Sequence, residues 1–260
     1  MPHEILKVSV FQFNLVWEDA VANRAKIDAM LQLLPSDSDV AFLPEMFSTG
    51  FSMNVAELAE SMDGETIAWM KHRSAEYQLA LCGSLIIKDD DKFYNRLVFV
   101  EPSGKIQHYD KRHLFTMADE ESHFEPGRKR LIVEYKGWHI CPLICYDLRF
   151  PVWARNRNEY DVLVYSANWP EPRTEVWNTL LKARAIENQS YVVGANRVGV
   201  DGNEITYSGN SQLIGPKGNL LLSTENYSER IVFAEFSYSQ LLKFRKNFPV
   251  LDDADSFFLE

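Results

Sequence analysis

Cysteine is scarce in this 260-residue chain: there are three, an odd number. So few sulfurs exclude a disulfide framework as the source of stability, and a reducing compartment fits them best. Long apolar runs are lacking as well. No stretch approaches the roughly 18 apolar residues that a membrane helix needs, and Met1 to Val10 has no apolar leader core. Positive charge is outweighed, with 27 Lys and Arg against 37 Asp and Glu and a net charge of -10. That balance argues against a nucleic-acid or anionic-membrane partner, and Arg128-Lys129-Arg130 reads as a solvated loop. A soluble, cytoplasmic protein is expected. No low-complexity linker divides the chain, so residues 1–260 are expected to form a single domain.

What is present is an ordinary globular mixture, 46% hydrophobic and 25% charged. A chain of this length buries a sizeable core without a metal or a staple. Lys7 to Phe13 alternates like a strand, and Ile27, Met30, Leu31 and Leu34 follow helical spacing. Further strands are expected at 40–43, 79–87, 93–100, 106–109, 131–135, 138–144, 161–166, 191–196, 211–214, 220–222 and 231–236. Helices are expected at 65–77, at 175–188 with Val176, Leu180, Ala183 and Glu187 on one stripe, and at 240–246. Strands alternating with helices indicate an α/β class. The turns Pro102-Ser103-Gly104 and Pro216-Lys217-Gly218 sit in similar hairpins and suggest two related halves.

Three residues carry potential chemistry. Cys145 ends a strand and precedes Pro151, which suits the first turn of a helix. A nucleophile at such an elbow is lifted out of the sheet, where backbone N–H groups support negative charge. Glu45 follows the strand 40–43, at the end where α/β folds gather ligands. Its apolar neighbours Leu43, Pro44, Met46 and Phe47 suit a general base. Lys111, in Tyr109-Asp110-Lys111-Arg112-His113, is a cation able to stabilise an oxyanion. Base, electrophile and thiol together make an acyl-transfer set with a carboxylate in place of histidine. Taken singly, each has an ordinary alternative: a buried structural cysteine, a surface-loop glutamate, a solvated lysine. Cys82 and Cys141, inside apolar strands, read as structural.

The segments Leu43-Pro44-Glu45-Met46-Phe47, Tyr109-Asp110-Lys111-Arg112-His113-Leu114-Phe115 and Ile144-Cys145-Tyr146-Asp147-Leu148-Arg149-Phe150-Pro151 resemble those of the nitrilase superfamily of carbon–nitrogen hydrolases. Their order and spacing match its Glu–Lys–Cys triad, and the similarity runs from Val8 to the last strand. The resemblance implies a four-layer α-β-β-α sandwich, usually dimerised. It implies Glu45 as base, Lys111 as oxyanion stabiliser, Cys145 as nucleophile, and a further glutamate, Glu120 or Glu121, with spacing to Phe124-Glu125-Pro126-Gly127 favouring Glu120. Cys145-Tyr146-Asp147 differs from the Cys-Trp-Glu of true nitrilases. The stretches Phe115-Thr116-Met117-Ala118-Asp119-Glu120 and Ala167-Asn168-Trp169-Pro170 look most like the bacterial omega-amidase branch. The expectation is ammonia release from the terminal carboxamide of a small 2-oxo acid, through a Cys145 thioester and without a cofactor. Deaminated-glutathione amidases and N-carbamoyl amidohydrolases are the rivals within the superfamily.

A keto-acid amide carries a carboxylate at its far end, and Arg149 is the candidate clamp, with propping of the elbow as its alternative role. Tyr146, Phe115 and Trp169 are candidate pocket walls, or core or lid packing. His113 is placed near the pocket by its closeness to Lys111. A zinc site at His139, Cys141 and Cys145 lacks the second ligand pair that structural zinc needs. Cys145 to Arg149 also lacks the glycine-rich loop of a phosphatase. Outside enzymology, the rival is a non-catalytic partner-binding protein built on this scaffold, and the presence of Glu45, Lys111 and Cys145 together argues against it.

Overall fold

Alternating side chains along β1 (Ile5–Gln12) set the architecture. Val8 and Val10 turn to one face, whereas Phe11 and Phe13 turn to the other. The computed structural model describes residues 2–255. After β1 come α1 (Ala20–Leu31), β2 (Val40–Phe42), α2 (Val55–Leu58), α3 (Glu65–Tyr77), β3 (Ala80–Asp89), β4 (Lys92–Val100) and β5 (Ile106–Asp110). The second half holds β6 (Val133–Tyr135), β7 (Trp138–Ile144), α4 (Pro151–Ala154), β8 (Val162–Ser166), α5 (Thr174–Asn188), β9 (Tyr191–Ala195), β10 (Val198–Val200), β11 (Thr206–Ser208), β12 (Gln212–Ile214) and β13 (Leu220–Ser223). Then β14 (Arg230–Ser237) and α6 (Tyr238–Asn247) follow.

The main sheets have the orders β14-β1-β2-β3-β4-β5 and β13-β12-β9-β8-β7-β6. In each, three parallel strands form the centre: β1, β2, β3 and β7, β8, β9. An antiparallel strand flanks one side and a pair of antiparallel strands the other. The two similar hairpins read from the sequence are β4–β5 and β12–β13, and they occupy matching places in the two sheets.

The inner faces pack on each other: Val8, Val10, Phe42 and Phe99 of the first sheet share one core with Trp138, Ile140 and Val164 of the second. Behind the first sheet, Phe11, Ala41 and Leu81 meet Ile27 and Leu31 of α1 and Ile67 and Met70 of α3. Trp177, Leu181 and Ala185 of α5 pack with the second sheet. The result is the expected α-β-β-α sandwich, and burying both faces of the central parallel strands explains their continuous apolar character. No helix among the described residues is long and apolar enough to cross a membrane.

Two local expectations are corrected. The buried stripe of α5 is Trp177, Leu181, Arg184, Ala185 and Asn188, one residue on from the expected one. Arg184 donates to the Leu148 carbonyl (2.6 Å) and the Asn188 side chain accepts from Asn156 N (2.9 Å), so polar residues occupy the inner face. Arg130 is not a solvated loop charge: it donates to the carbonyls of Trp153 and Arg155 and pairs with Glu159.

Candidate active site

Strand ends deliver the reactive groups. Glu45 lies three residues past β2, Lys111 directly follows β5, and Cys145 directly follows β7. Hairpin pairing sets the lysine, whose N–H donates to the Asn95 carbonyl across β4 (3.0 Å). Gly127 lets the following loop press close, since a Cβ there would meet the Asp110 carbonyl oxygen at 2.0 Å. Glu120 sits on a single 3-10 turn, Glu120–Ser122.

Strained backbone accompanies three of these groups. Cys145 has φ 39°, Met46 beside Glu45 has φ 43° and Asp119 beside Glu120 has φ 57°. A non-glycine residue held there costs on the order of 1–3 kcal/mol, and such strain collects at functional sites. At the elbow, Asp147 repays it. Its carboxylate accepts from Ile144 N (3.0 Å), the Tyr109 hydroxyl (2.8 Å), His113 N (3.1 Å) and His113 Nδ1 (2.7 Å). One buried carboxylate thus ties the cysteine turn to the segment bearing Lys111.

The polar centre is almost dry: Glu45 and Lys111 are each 1% exposed and Glu120 is 0%. Lys111 Nζ lies 2.8 Å from Glu45 Oε1 and 2.8 Å from Glu120 Oε2. Asn95 Nδ2 bridges the same carboxylates, at 2.8 Å to Glu45 Oε1 and 3.1 Å to Glu120 Oε1. Phe115 N donates to Glu120 (2.6 Å) and Asn168 N to the second Glu45 oxygen (3.0 Å). Burial pulls the lysine toward its neutral form, but Glu120 and Glu45 outweigh it and hold the ammonium above its ordinary range. Glu120 is raised above the usual carboxyl range, by burial first, with Lys111 opposing.

Cys145 Sγ lies 3.8 Å from the Asn168 carbonyl oxygen and feels the charge of Glu45. Burial, then the charge of Glu45, pushes its pKa well above that of a free thiol. The group rests as a thiol, so its proton must pass to a base as it attacks, and Glu45 is the adjacent carboxylate.

A cavity of about 630 Å³ opens over these groups. Glu45, Lys111, Cys145, Tyr146, Phe115, Trp169 and Arg149 all line it. Glu120 stands behind Lys111, whereas Glu121 is exposed. His113 is not among the lining residues, correcting its expected place; it pairs with Asp147 and stacks on Phe150 at 3.7 Å. His139 pairs with Asp161, and no metal-holding cluster of His, Cys, Asp and Glu occurs among the described residues. Sequence reasoning passed over Asn95, Asn168 and the hairpin residues Asp201 and Tyr207. Asn168 lay inside a quoted motif, but nothing in an isolated amide signals that its backbone holds a glutamate 123 positions away.

The family model described as carbon-nitrogen hydrolase matches residues 7–246. The omega-amidase YafV of Escherichia coli (strain K12) is 45% identical over 252 residues, covering 97% of this chain and 98% of the relative. The 2-oxoglutaramate amidase of Bacillus subtilis (strain 168) is 32% identical over 251 residues, covering 95% and 96%. Among solved structures, a CN-hydrolase superfamily protein of Xanthomonas campestris with an arsenic adduct in its active site superposes with a TM-score of 0.96. It is 41% identical and covers 99% of this chain and 100% of that one.

Proposed function

The chain belongs to the carbon–nitrogen hydrolase family, and from that premise we propose that it releases ammonia from the terminal carboxamide of a small 2-oxo acid, such as 2-oxoglutaramate. The carrying observation is the buried Lys111 ammonium, held between Glu45 and Glu120 at 2.8 Å each, in a cavity that Cys145 also lines. Relatives named for omega-amide hydrolysis support the same chemistry.

Glu45 takes the thiol proton as Cys145 Sγ forms a bond to the amide carbon. The carbonyl oxygen becomes an oxyanion. Lys111 gives one N–H to Glu45 and one to Glu120, shared between that carboxylate's two oxygens at 3.0 and 2.8 Å, and has a third for the oxyanion, with the Tyr146 N–H beside it. Each such donor is worth roughly 3 kcal/mol at the transition state. Glu45 then passes its proton to the nitrogen, the C–N bond breaks, and ammonia leaves a thioester behind. A water molecule gives a proton to Glu45 and its oxygen to the thioester carbon. The C–S bond breaks, the sulfur recovers the proton, and the acid departs. Glu120 and Asn95 keep Lys111 and Glu45 in place. Arg149 meets the substrate's distal carboxylate, while Tyr146, Phe115 and Trp169 wall the chain between.

The same reading has residues 1–260 acting as one domain in a cytoplasmic homodimer. Three unbridged thiols support a reducing location; light scattering of the purified protein tests the dimer. An ammonia-release screen across 2-oxo acid amides, N-carbamoyl compounds and nitriles tests the reaction. Turnover of 2-oxo acid amides, abolished in Cys145→Ala, is expected; turnover of nitriles alone contradicts it.

A further inference from the structure

We infer that Arg173, a second guanidinium on the cavity wall, reads the group at carbon 2 of the substrate and selects a 2-oxo acid over a 2-amino acid. The inference rests on the omega-amide reading and adds its specificity.

Two cations besides Lys111 line the cavity. Arg149 lies over the Trp169 ring at 5.2 Å, and Arg173 over the Phe115 ring at 5.4 Å. Neither has a carboxylate partner among the described residues. The Arg173 guanidinium otherwise reaches the Met117 sulfur, at 4.0 Å, and no other side chain among the described residues. By contrast, most other arginines are tied to acids: Arg24, Arg73, Arg96, Arg130, Arg184, Arg230 and Arg245 are each in ion pairs.

The wall holding the pair is built. Trp169 Nε1 donates to the Arg173 carbonyl (2.8 Å), fixing the turn Glu171–Arg173 against the ring under Arg149. Phe115, under Arg173, meets Tyr146 edge-on at 5.0 Å. A chain of contacts therefore links both guanidinium groups to the residue that follows the nucleophile. The acids elsewhere on the lining are spoken for. Asp201 accepts from Asn203 N, Ile205 N and the Tyr207 hydroxyl. Glu18 accepts from Ser52 and Asn54.

Guanidinium groups have several donors and no acceptor. A 2-oxo carboxylate presents only acceptors, a carboxylate and a coplanar ketone oxygen, which two guanidinium groups satisfy together. An amino acid amide replaces the ketone with an ammonium, which offers donors and positive charge to Arg173. The cavity thus binds one and repels the other, although the two chains have equal length.

The test compares three five-carbon monoamides: 2-oxoglutaramate, glutaramate (no substituent at carbon 2) and glutamine. Wild-type kcat/KM is expected to rank them in that order. In Arg173→Met the ratio of 2-oxoglutaramate to glutamine should fall at least about tenfold, roughly the discrimination of one lost charged hydrogen bond. Glutaramate should lose less than 2-oxoglutaramate, and Arg173→Lys should recover part of the ratio. Iodoacetamide should label Cys145 at the wild-type rate. An unchanged ratio, or an equal loss on all three amides, overturns the role of Arg173. Wild-type protein that acts on none of the three overturns the omega-amide reading itself, and the inference with it.

Discussion

The two sheets are built alike and equipped differently. Each has three parallel strands, one antiparallel strand on one flank and a hairpin pair on the other. Even the exits match: Leu43 N, past β2, donates to the β3 residue Cys82, and Ala167 N, past β8, donates to the β9 residue Ala195, both at 2.8 Å. Beyond those points the first half supplies Glu45, with Lys111 and Glu120 after its hairpin. The second half supplies the thiol and Asn168. Asn168 N then donates to Glu45 at 3.0 Å, so the matching exits meet face to face. Scaffold symmetry thus creates a place where strand ends converge, and sequence divergence makes it reactive. Neither half is complete alone.

The largest expected effect follows from dividing the reaction between the halves. Glu45→Gln retains shape but removes the base, and its amide nitrogen cannot accept where the carboxylate takes bonds at both oxygens, from Lys111 and Asn95 on one and Asn168 N on the other. Steady-state ammonia release should fall by about 10²–10⁴-fold, with a stability cost of about 1–3 kcal/mol; a loss of turnover under tenfold would break the assignment of base to the first half. Lys111→Met leaves two buried carboxylates facing each other without a cation. Unfolding in urea should show a loss of about 3–5 kcal/mol, alongside loss of turnover. A variant as stable as wild type would mean that the carboxylates do not share the lysine.

The link between halves is sharpened by Asp147→Asn. An amide cannot accept all four bonds that the carboxylate takes from Ile144, Tyr109 and His113. A cost of about 1–3 kcal/mol is expected, with kcat falling more than KM rises. Unchanged kcat in a folded variant would show that the elbow needs no tie to the lysine segment.

Two smaller effects concern the elbow alone. The Cys145 pKa is raised in the folded state by burial and by Glu45. Its contribution to stability is therefore fully present below the unfolded thiol value of about 8.5 and declines as pH rises from there toward the folded value. Between pH 8.5 and 10, wild type should lose stability relative to Cys145→Ala at up to about 1.4 kcal/mol per pH unit; a constant difference in calorimetry would contradict the buried thiol. Finally, Cys145→Gly should be more stable than Cys145→Ala by about 1 kcal/mol, because only glycine tolerates φ 39° without strain. Equal stability would mean that the turn is relaxed.

Most of the strands and helices were legible because apolar alternation and helical spacing are local, whereas their stacking into a sandwich was expected only from the family resemblance. The helix expected at 65–77 is α3 to the residue, and the strand at 138–144 is β7. The stripe of α5 was misread because burial there follows hydrogen bonding: Arg184 and Asn188 face inward to satisfy backbone groups. Within the site, Glu45, Lys111 and Cys145 stood out through their motifs and types. Asn95 did not, because a strand asparagine looks like any polar interruption until β4 is stacked beside two carboxylates. Asp147 was read only as a neighbour of the cysteine, since its partners Tyr109 and His113 lie 38 and 34 positions away. Pairing across the sheets, invisible in one dimension, decides which polar residues matter.

Alkylation tests the central claim most directly. Cys82 and Cys141 are fully buried, whereas Cys145 lines the cavity. Wild-type protein treated with iodoacetamide should lose ammonia release from 2-oxoglutaramate in step with labelling of Cys145, mapped by peptide mass spectrometry. Turnover that survives complete labelling of Cys145, or disappears while Cys145 stays unlabelled, would contradict the account.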